Sequence, residues 1–328
     1  MQIKLSDLIT TTLSVIKSYG YGDTESEVIK DILLYAQLRG NNQGIVKLID
    51  AGIPKRLDSL APVIEKESAV SALVKGNRTH SMVVMNLLTE LAIKKALTSG
   101  IGITGNYDTD ESTGALGYYV EKIAKEGLIG IAFASAPFQT TAPYGSNEAR
   151  YCTNPMAYGI PTQTNPIILD MSTSAMAYYG LIEAKTAGRS VSQGIGYDKE
   201  GNETTNPAEI MAGAIRSFGG HKGAGLALVV QILAGAFVKA DSFNNDSVNA
   251  GNLIFAINPE IFLNKSDFTQ NVSDIVVKVK SARKIAGVEE IYVPGERGNR
   301  FKNAVEKTGM IEVEENLWKQ LLEKVSTN

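Results

Sequence analysis

The sequence predicts an α/β protein in which a mixed sheet domain fills the middle of the chain and helices from both ends pack together. Two observations carry this. Apolar residues recur at helical spacing near both ends, and short apolar runs bounded by glycines and polar turns fill the middle. A third narrows it. Gly100-Ile101-Gly102-Ile103-Thr104-Gly105 matches the G-x-G-x-x-G fingerprint, but a helical pattern precedes it and a strand-like run follows. The fingerprint needs the opposite order, so that a pyrophosphate meets a helix N-terminus, and no Rossmann domain is expected.

Leu5, Leu8, Ile9, Leu13 and Ile16 mark a first helix that Gly20 stops. A second helix starts at the capping-box pattern Thr24-Glu25-Ser26-Glu27 and ends at Gly40, with Val28, Ile29, Ile32, Leu33 and Ala36 as its apolar stripe. A long helix is expected over 81–99, a short strand over 101–104, a helix from Gly114 to 126 and a strand over 128–134. Strands over 156–160 and 166–171 and a helix over 174–185 follow. The stretch 223–238 is the most apolar; it contains Gln231 and is short for a bilayer, so it reads as a core helix. The polar run 241–252 reads as a surface loop. Helices over 299–307 and 314–325 flank a strand over 310–313. The expected division is a helical part from 1–75 and 291–328 and an α/β part over 76–290.

Composition removes several function classes. The net charge of -3 on 328 residues gives no basic surface for nucleic acid or an anionic membrane. Cys152 is the single cysteine, so no internal disulfide can form, which suits a cytoplasmic protein; it is expected to be a buried spectator. The first residues show no basic region followed by an apolar one, so no signal peptide is expected. His80 and His221 are the only histidines and no Cys/His cluster has zinc spacing, so no metal site is expected.

Phe218-Gly219-Gly220-His221-Lys222-Gly223-Ala224-Gly225-Leu226 is the strongest local motif. Its glycines permit close backbone approach, the following helix offers free N–H groups and the positive end of its dipole, and Lys222 adds a charge. These features suit a phosphate or pyrophosphate, or simply a tight turn that packs a glycine face. In Ile168-Leu169-Asp170-Met171-Ser172-Thr173-Ser174 an apolar strand runs into a polar turn, which can serve a ligand crevice, a helix cap, or both. Tyr144-Gly145-Ser146, Cys152-Thr153-Asn154-Pro155-Met156 and Val293-Pro294-Gly295-Glu296-Arg297 are each ordinary turns when taken singly.

Taken in order, these pieces together with Arg39-Gly40, a Gly-Tyr-Tyr and a Gly-Leu-Ile-Gly resemble, over 33–296, the malate/L-lactate dehydrogenase family. The resemblance implies a non-Rossmann fold with a largely antiparallel sheet domain and a helical second domain, usually dimeric, with the active site near the subunit interface. It implies NAD or NADP as cofactor, a small carboxylate as substrate, and Asp170, Met171, Ser172, His221, Lys222, Pro294, Gly295 and Glu296 as cofactor contacts.

The catalytic positions depart from the family. Where it carries a Ser-His-Gly motif with a proton-donating histidine, this chain reads Arg39-Gly40-Asn41-Asn42-Gln43-Gly44, one residue shorter, with Asn42 and Gln43 in those places. Its second histidine, in an Asn-His-Phe/Tyr-Gly loop, is also missing: Asn106 to Gly114 reads as one residue longer, with Ser112 near that position. Lys47 stands where the family places an arginine and is a plausible partner for a substrate carboxylate. Glutamine can donate a hydrogen bond to a developing oxyanion but cannot release a proton near neutral pH. Asp108, Asp110, Glu111, His80 and the tyrosines are the groups left to replace the acid. A cyclic imine that arrives as an iminium needs no acid, and Asp108 or Asp110 could balance its charge. The expected function is therefore NAD(P)H-dependent reduction of a 2-oxo acid or a cyclic imine with altered proton-donor chemistry. The alternative is a repurposed, cofactor-independent or non-catalytic homologue.

Overall fold

A computed structural model describes residues 1–41, 43–110, 112–241 and 249–326. The chain opens with β1 (Gln2–Lys4), α1 (Leu5–Ser18) and α2 (Asp23–Gln37), then β2 (Val63–Glu67), β3 (Ser71–Lys75), α3 (Ser81–Ser99) and β4 (Ile101–Thr109). α4 (Leu116–Lys125), β5 (Ile129–Ser135), β6 (Thr141–Ala142), β7 (Met156–Ile160), β8 (Ile167–Met171) and α5 (Tyr178–Thr186) follow. Next come β9 (Gly196–Tyr197), β10 (Glu203–Thr204), α6 (Pro207–Ala212), β11 (Ala214–Arg216), α7 (His221–Ala234) and β12 (Ala250–Ile257). The chain closes with α8 (Lys265–Lys280), α9 (Glu296–Thr308), β13 (Met310–Glu312) and α10 (Glu315–Ser326).

Seven strands form the main sheet, in the order β2-β3-β4-β12-β5-β7-β8. Only β3 and β4 are parallel neighbours; every other pair is antiparallel. The family-implied largely antiparallel sheet is thus what the chain forms. A smaller sheet of β10-β9-β11-β6 sits beside it, and β1 pairs with β13, joining the two ends of the chain.

α3 and α4 cover one face of the main sheet and α7 packs against β5 and β12. Residues Gly102, Ala256, Gly130 and Gly159 fall opposite one another in a single row across β4, β12, β5 and β7. This row has almost no side chains, so helix backbones approach the sheet closely. One continuous core runs from Leu8 and Ile16 of α1 through Met82 and Leu88 of α3 and Ile254 of β12 to Leu321 of α10.

Several expectations need correction. The second helix is capped two residues earlier than its sequence suggests: the Gly22 amide donates to the Glu25 carboxylate at 3.2 Å. β4 runs five residues beyond the short strand expected, because Thr104, Asn106 and Thr109 are buried and bonded inside the sheet. The expected helix over 174–185 starts only at Tyr178, since Ser172 and Ser174 bond the backbone of the turn before it. The polar run 241–252 is not all surface loop: Ala250, Gly251 and Asn252 begin the buried central strand β12, while 242–248 lie outside the described residues. α7 is not a fully buried core helix; Gly223, Ala227, Val230, Gln231 and Ala234 face inward, whereas Leu226, Leu228, Val229 and Ile232 are exposed. α7 with the turn that follows it is long and apolar enough to cross a membrane, but its inner face is packed on the sheet, with Gln231 accepting from Asn154 at 2.8 Å. Finally, β2 and β3 belong to the main sheet although they precede the expected boundary at 75.

Candidate active site

A cavity of about 760 Å³ opens where the turn after α2, the approach to α4, and the ends of β5, β8 and β12 converge. Arg39, Gln43, Ser112, Asp170, Tyr179 and Asn252 line it, from segments far apart in sequence. α4 points its N-terminus at one wall, where the Gly117 amide donates to Asp170 Oδ2 at 2.8 Å. A helix N-terminus favours negative charge there.

Asp170 is nevertheless poorly compensated. It is enclosed by protein except toward the cavity, and burial pushes its carboxyl up to about 6, against which only the Gly117 bond acts. A carboxyl raised in the folded state costs stability as pH rises from its unfolded value of 3.8 toward about 6. Asp170→Asn keeps an acceptor for Gly117 and removes the charge. It is expected to be more stable than the parent at pH 7.5 by about 1–2 kcal/mol, discounted for the open side, with the gap closing toward pH 4. Thermal melts from pH 4 to 8 read this directly; a pH-independent gap would contradict it.

The structure sorts the sequence-nominated residues. Gln43, Ser112, Asp170, Met171 and Ser172 meet on the cavity wall. Asn42 lies outside the described residues, as does Glu111. Lys47 does not line the cavity. It is 1% exposed, donates from Nζ to Ser112 Oγ at 2.7 Å and lies 3.2 Å from the Tyr179 ring centroid, so Ser112 and Tyr179 stand between it and the opening. The expected direct contact of Lys47 with a substrate carboxylate is therefore withdrawn. Asp108 is also outside the cavity: its carboxylate lies 3.8 Å from Lys75 and its amide donates to Asn249 Oδ1. Asp110 faces Arg56 at 3.5 Å in a separate small crevice that also holds His80.

The glycine-rich motif opens onto a second cavity, of about 710 Å³, whose lining includes Tyr144, Arg216, Phe218, Gly219 and Gly220. Gly219 and Gly220 take φ of 57° and 63°, conformations that favour glycine, and lead directly into α7. His221 meets the Tyr144 ring edge-on and Lys222 is exposed in the first turn, beside the cavity and not on its lining. This arrangement of free helix N–H groups, Lys222 and Arg216 suits a phosphate. Pro294, Gly295 and Glu296 line neither cavity. The Pro294 carbonyl accepts from Ile168 on β8, and Glu296 accepts from Lys280 at 2.7 Å and the Val293 amide at 3.0 Å. That turn secures the outer edge of β8.

Sequence reasoning did not nominate Arg39 or Asn252. Arg39 is the one cationic side chain on the first cavity's described lining; it pairs with Glu121 at 2.8 Å and stacks on the Tyr35 ring. Asn252 was hidden in a polar run. Cys152 is half-buried on the cavity wall, not a remote core residue, and burial raises its thiol, which keeps it neutral. Ser81 Oγ, Ser135 Oγ and Asn252 Oδ1 are buried atoms without a hydrogen-bond partner among the described residues, and all three residues line this cavity. Native proteins rarely leave buried polar atoms unsatisfied, so a cluster of them around one void marks where a polar ligand fits.

Comparisons with known proteins give the family and the fold. The family model for malate/L-lactate dehydrogenase matches residues 3–322. The chain is 33% identical over 326 residues to a malate/(S)-sulfolactate dehydrogenase of Methanothermus fervidus, covering 95% of this chain and 93% of that protein. It is 31% identical to a Δ1-pyrroline-2-carboxylate/Δ1-piperideine-2-carboxylate reductase of Pseudomonas putida, over 70% of this chain and 67% of that one. Among solved structures, malate dehydrogenase from Pyrococcus horikoshii OT3 superposes with a TM-score of 0.87 at 28% identity, covering 100% of this chain and 95% of that chain. The chain belongs to the malate/L-lactate dehydrogenase family and is an NAD(P)-dependent oxidoreductase.

Proposed function

We propose that the protein reduces a small carboxylate substrate, a 2-oxo acid or a cyclic imine, with NADH or NADPH bound across the two cavities. The observation that carries this is the cluster of three buried polar groups, unpartnered among the described residues, around the cavity that also holds Gln43, Ser112 and Asp170. The reduced nicotinamide supplies the hydride. Lys222 and the α7 N-terminus take the pyrophosphate, while Asp170, Met171 and Ser172 border the nicotinamide end. Arg39, in place of Lys47, receives the substrate carboxylate, and the Gln43 amide donates to the oxygen on which charge develops. A cyclic imine is the second reading, favoured by the absence of a histidine from the described lining. Relatives named for malate, sulfolactate and pyrroline carboxylate span both substrate classes.

Titration with NADH and NADPH, followed by cofactor fluorescence, tests the reading. Saturable binding of at least one is expected; binding of neither would overturn it. Lys222→Ala should weaken dinucleotide binding more than about tenfold, in line with loss of a charge-assisted contact. Because Lys222 is exposed, its melting temperature should stay within about 2 °C. A large melting shift with normal binding would instead make the motif a packing device. We further assign a cytoplasmic homodimer, in which the exposed Leu226, Val229 and Ile232 of α7 meet a second copy; sedimentation as a monomer at micromolar concentration would reject that assembly.

A further inference from the structure

We infer that Ser112, resupplied by Lys47, is the proton donor of this enzyme. The inference rests on the reductase reading above and adds to it the group that replaces the missing histidine.

Hydrogen-bond counting at one oxygen carries it. A serine hydroxyl has two lone pairs and one O–H. Ser112 Oγ accepts from Lys47 Nζ at 2.7 Å and from the Gly114 amide at 3.2 Å, so both lone pairs are used. Its hydrogen must point elsewhere, and among the described residues it reaches no protein acceptor. Ser112 lines the cavity, so the one direction left for a useful donation is toward whatever the cavity holds. The donor is also polarised, because an ammonium already bonds its oxygen from behind.

Lys47 is held for that task. The buried turn Ile45–Leu48 carries it inward, and the Tyr179 ring covers Nζ at 3.2 Å. Of the groups behind the wall it is the one bonded directly to Ser112.

The chemistry balances. A reduced nicotinamide, when bound, would supply the hydride that forms the new C–H bond as the carbonyl π bond opens. The oxygen takes the Ser112 proton, and Ser112 takes one from Lys47. The neutral Lys47 amine regains a proton from solvent through Ser112 after product leaves. The ketone becomes a hydroxyl and the nicotinamide is oxidised, with one proton consumed from water. Ser112 touches the reacting oxygen and is catalytic in that sense; Lys47 acts through it and both positions and recharges it.

The test uses the full-length protein, Ser112→Ala and Lys47→Met. The substrates are pyruvate, the 2-oxo acids corresponding to malate and sulfolactate, and Δ1-piperideine-2-carboxylate. Ser112→Ala should lower kcat on the 2-oxo acids about 100-fold, the low end of what a positioned acid supplies, while binding NADH or NADPH as the parent does. It should also weaken the fluorescence change caused by oxamate, an unreactive 2-oxo acid analogue, in the dinucleotide complex. Lys47→Met should lower kcat with little change in KM. Lys47→Arg, if its melting temperature is parental, should keep the charge and fail to restore kcat, because a guanidinium does not give up a proton. Imine reduction should fall less than about threefold in Ser112→Ala.

Ketone turnover by Ser112→Ala within threefold of the parent overturns the relay and leaves the reductase reading intact. So does equal loss of ketone and imine turnover together with dinucleotide binding, which marks a structural role. A parent protein that reduces only the imine also overturns the relay alone. A parent that binds neither dinucleotide overturns both.

Discussion

Gly159→Ala is expected to destabilise the protein by about 3 kcal/mol, near the upper end for overpacking, and to lower its melting temperature by roughly 4 °C. A β-carbon on Gly159 would stand 2.2 Å from the Val120 carbonyl oxygen and 2.7 Å from its carbon, both backbone atoms of α4. No side-chain rotation relieves such a contact, so the helix itself must move. A β-carbon on its cross-strand partner Gly130 would stand 3.2 Å from the Val120 Cα of the same helix, so the pair forms a seat shaped for α4. The same helix start carries the Gly117 amide to Asp170, and the approach to it places Ser112 to Leu116 on the cavity wall. Dinucleotide binding should therefore weaken along with stability. Gly225→Ala is the control: it lies in α7 with open space around its β-carbon and should change stability by less than about 1 kcal/mol, in the favourable direction. Thermal melts of both variants decide the matter. A Gly159→Ala protein melting within a degree of the parent would mean that α4 is not seated on the glycine pair.

The glycine row also shows where sequence is a good guide and where it is not. Gly102 belongs to the false dinucleotide fingerprint; its real task is to let β4 pass 2.1 Å, in β-carbon terms, from the Ala92 carbonyl of α3. Local order exposed that decoy, because the helix comes before the motif. The bounds of α3 were legible for the same reason: Gly100 takes φ of 83° and ends it. β12 was not legible. It begins with Ala250, Gly251 and Asn252 at the end of a polar run, yet Asn252 donates to Asn106 Oδ1 at 2.9 Å, so a polar pair 146 residues apart sits in the centre of the sheet. Pairing of that kind satisfies buried amides only once the strands meet, and no local periodicity encodes it. β2 was invisible because all five residues are exposed on an edge strand with no buried face to set a period-two pattern. The candidate site divides likewise. Asp170 to Ser172 could be read from a strand running into a turn. Which way Lys47 points could not, because burial of the whole Ile45–Leu48 turn, and hence its bond to Ser112, follows from tertiary packing.

Burial of the His80 ring makes stability depend on pH in the acid range. The residue precedes α3, and its Nδ1 accepts from the Met82 amide at 3.1 Å, so the neutral ring carries its proton on Nε2, which has no partner among the described residues. Tyr21 packs edge-on against the ring. Burial, with the positive charge of Lys47 second, pushes the imidazole down to about 3 from 6.5. Above pH 6.5 the ring is neutral in both states and contributes no pH dependence. Below it the unfolded chain binds a proton that the folded state refuses, so stability falls with pH until about 3. The loss should reach roughly 3 kcal/mol by pH 4, at about 1.4 kcal/mol per unit. His80→Asn retains a good helix-capping acceptor and removes the titration. The variant should be the weaker protein at pH 8, through lost ring packing, and should lose less stability on acidification, so that the two unfolding curves converge or cross between pH 6 and 4. Carboxylates that protonate over the same range act on both proteins and cancel in the difference. Urea unfolding at pH 8, 6, 5 and 4 measures it, and parallel losses in parent and variant would show that the His80 ring takes up its proton in the folded state as readily as in the unfolded chain.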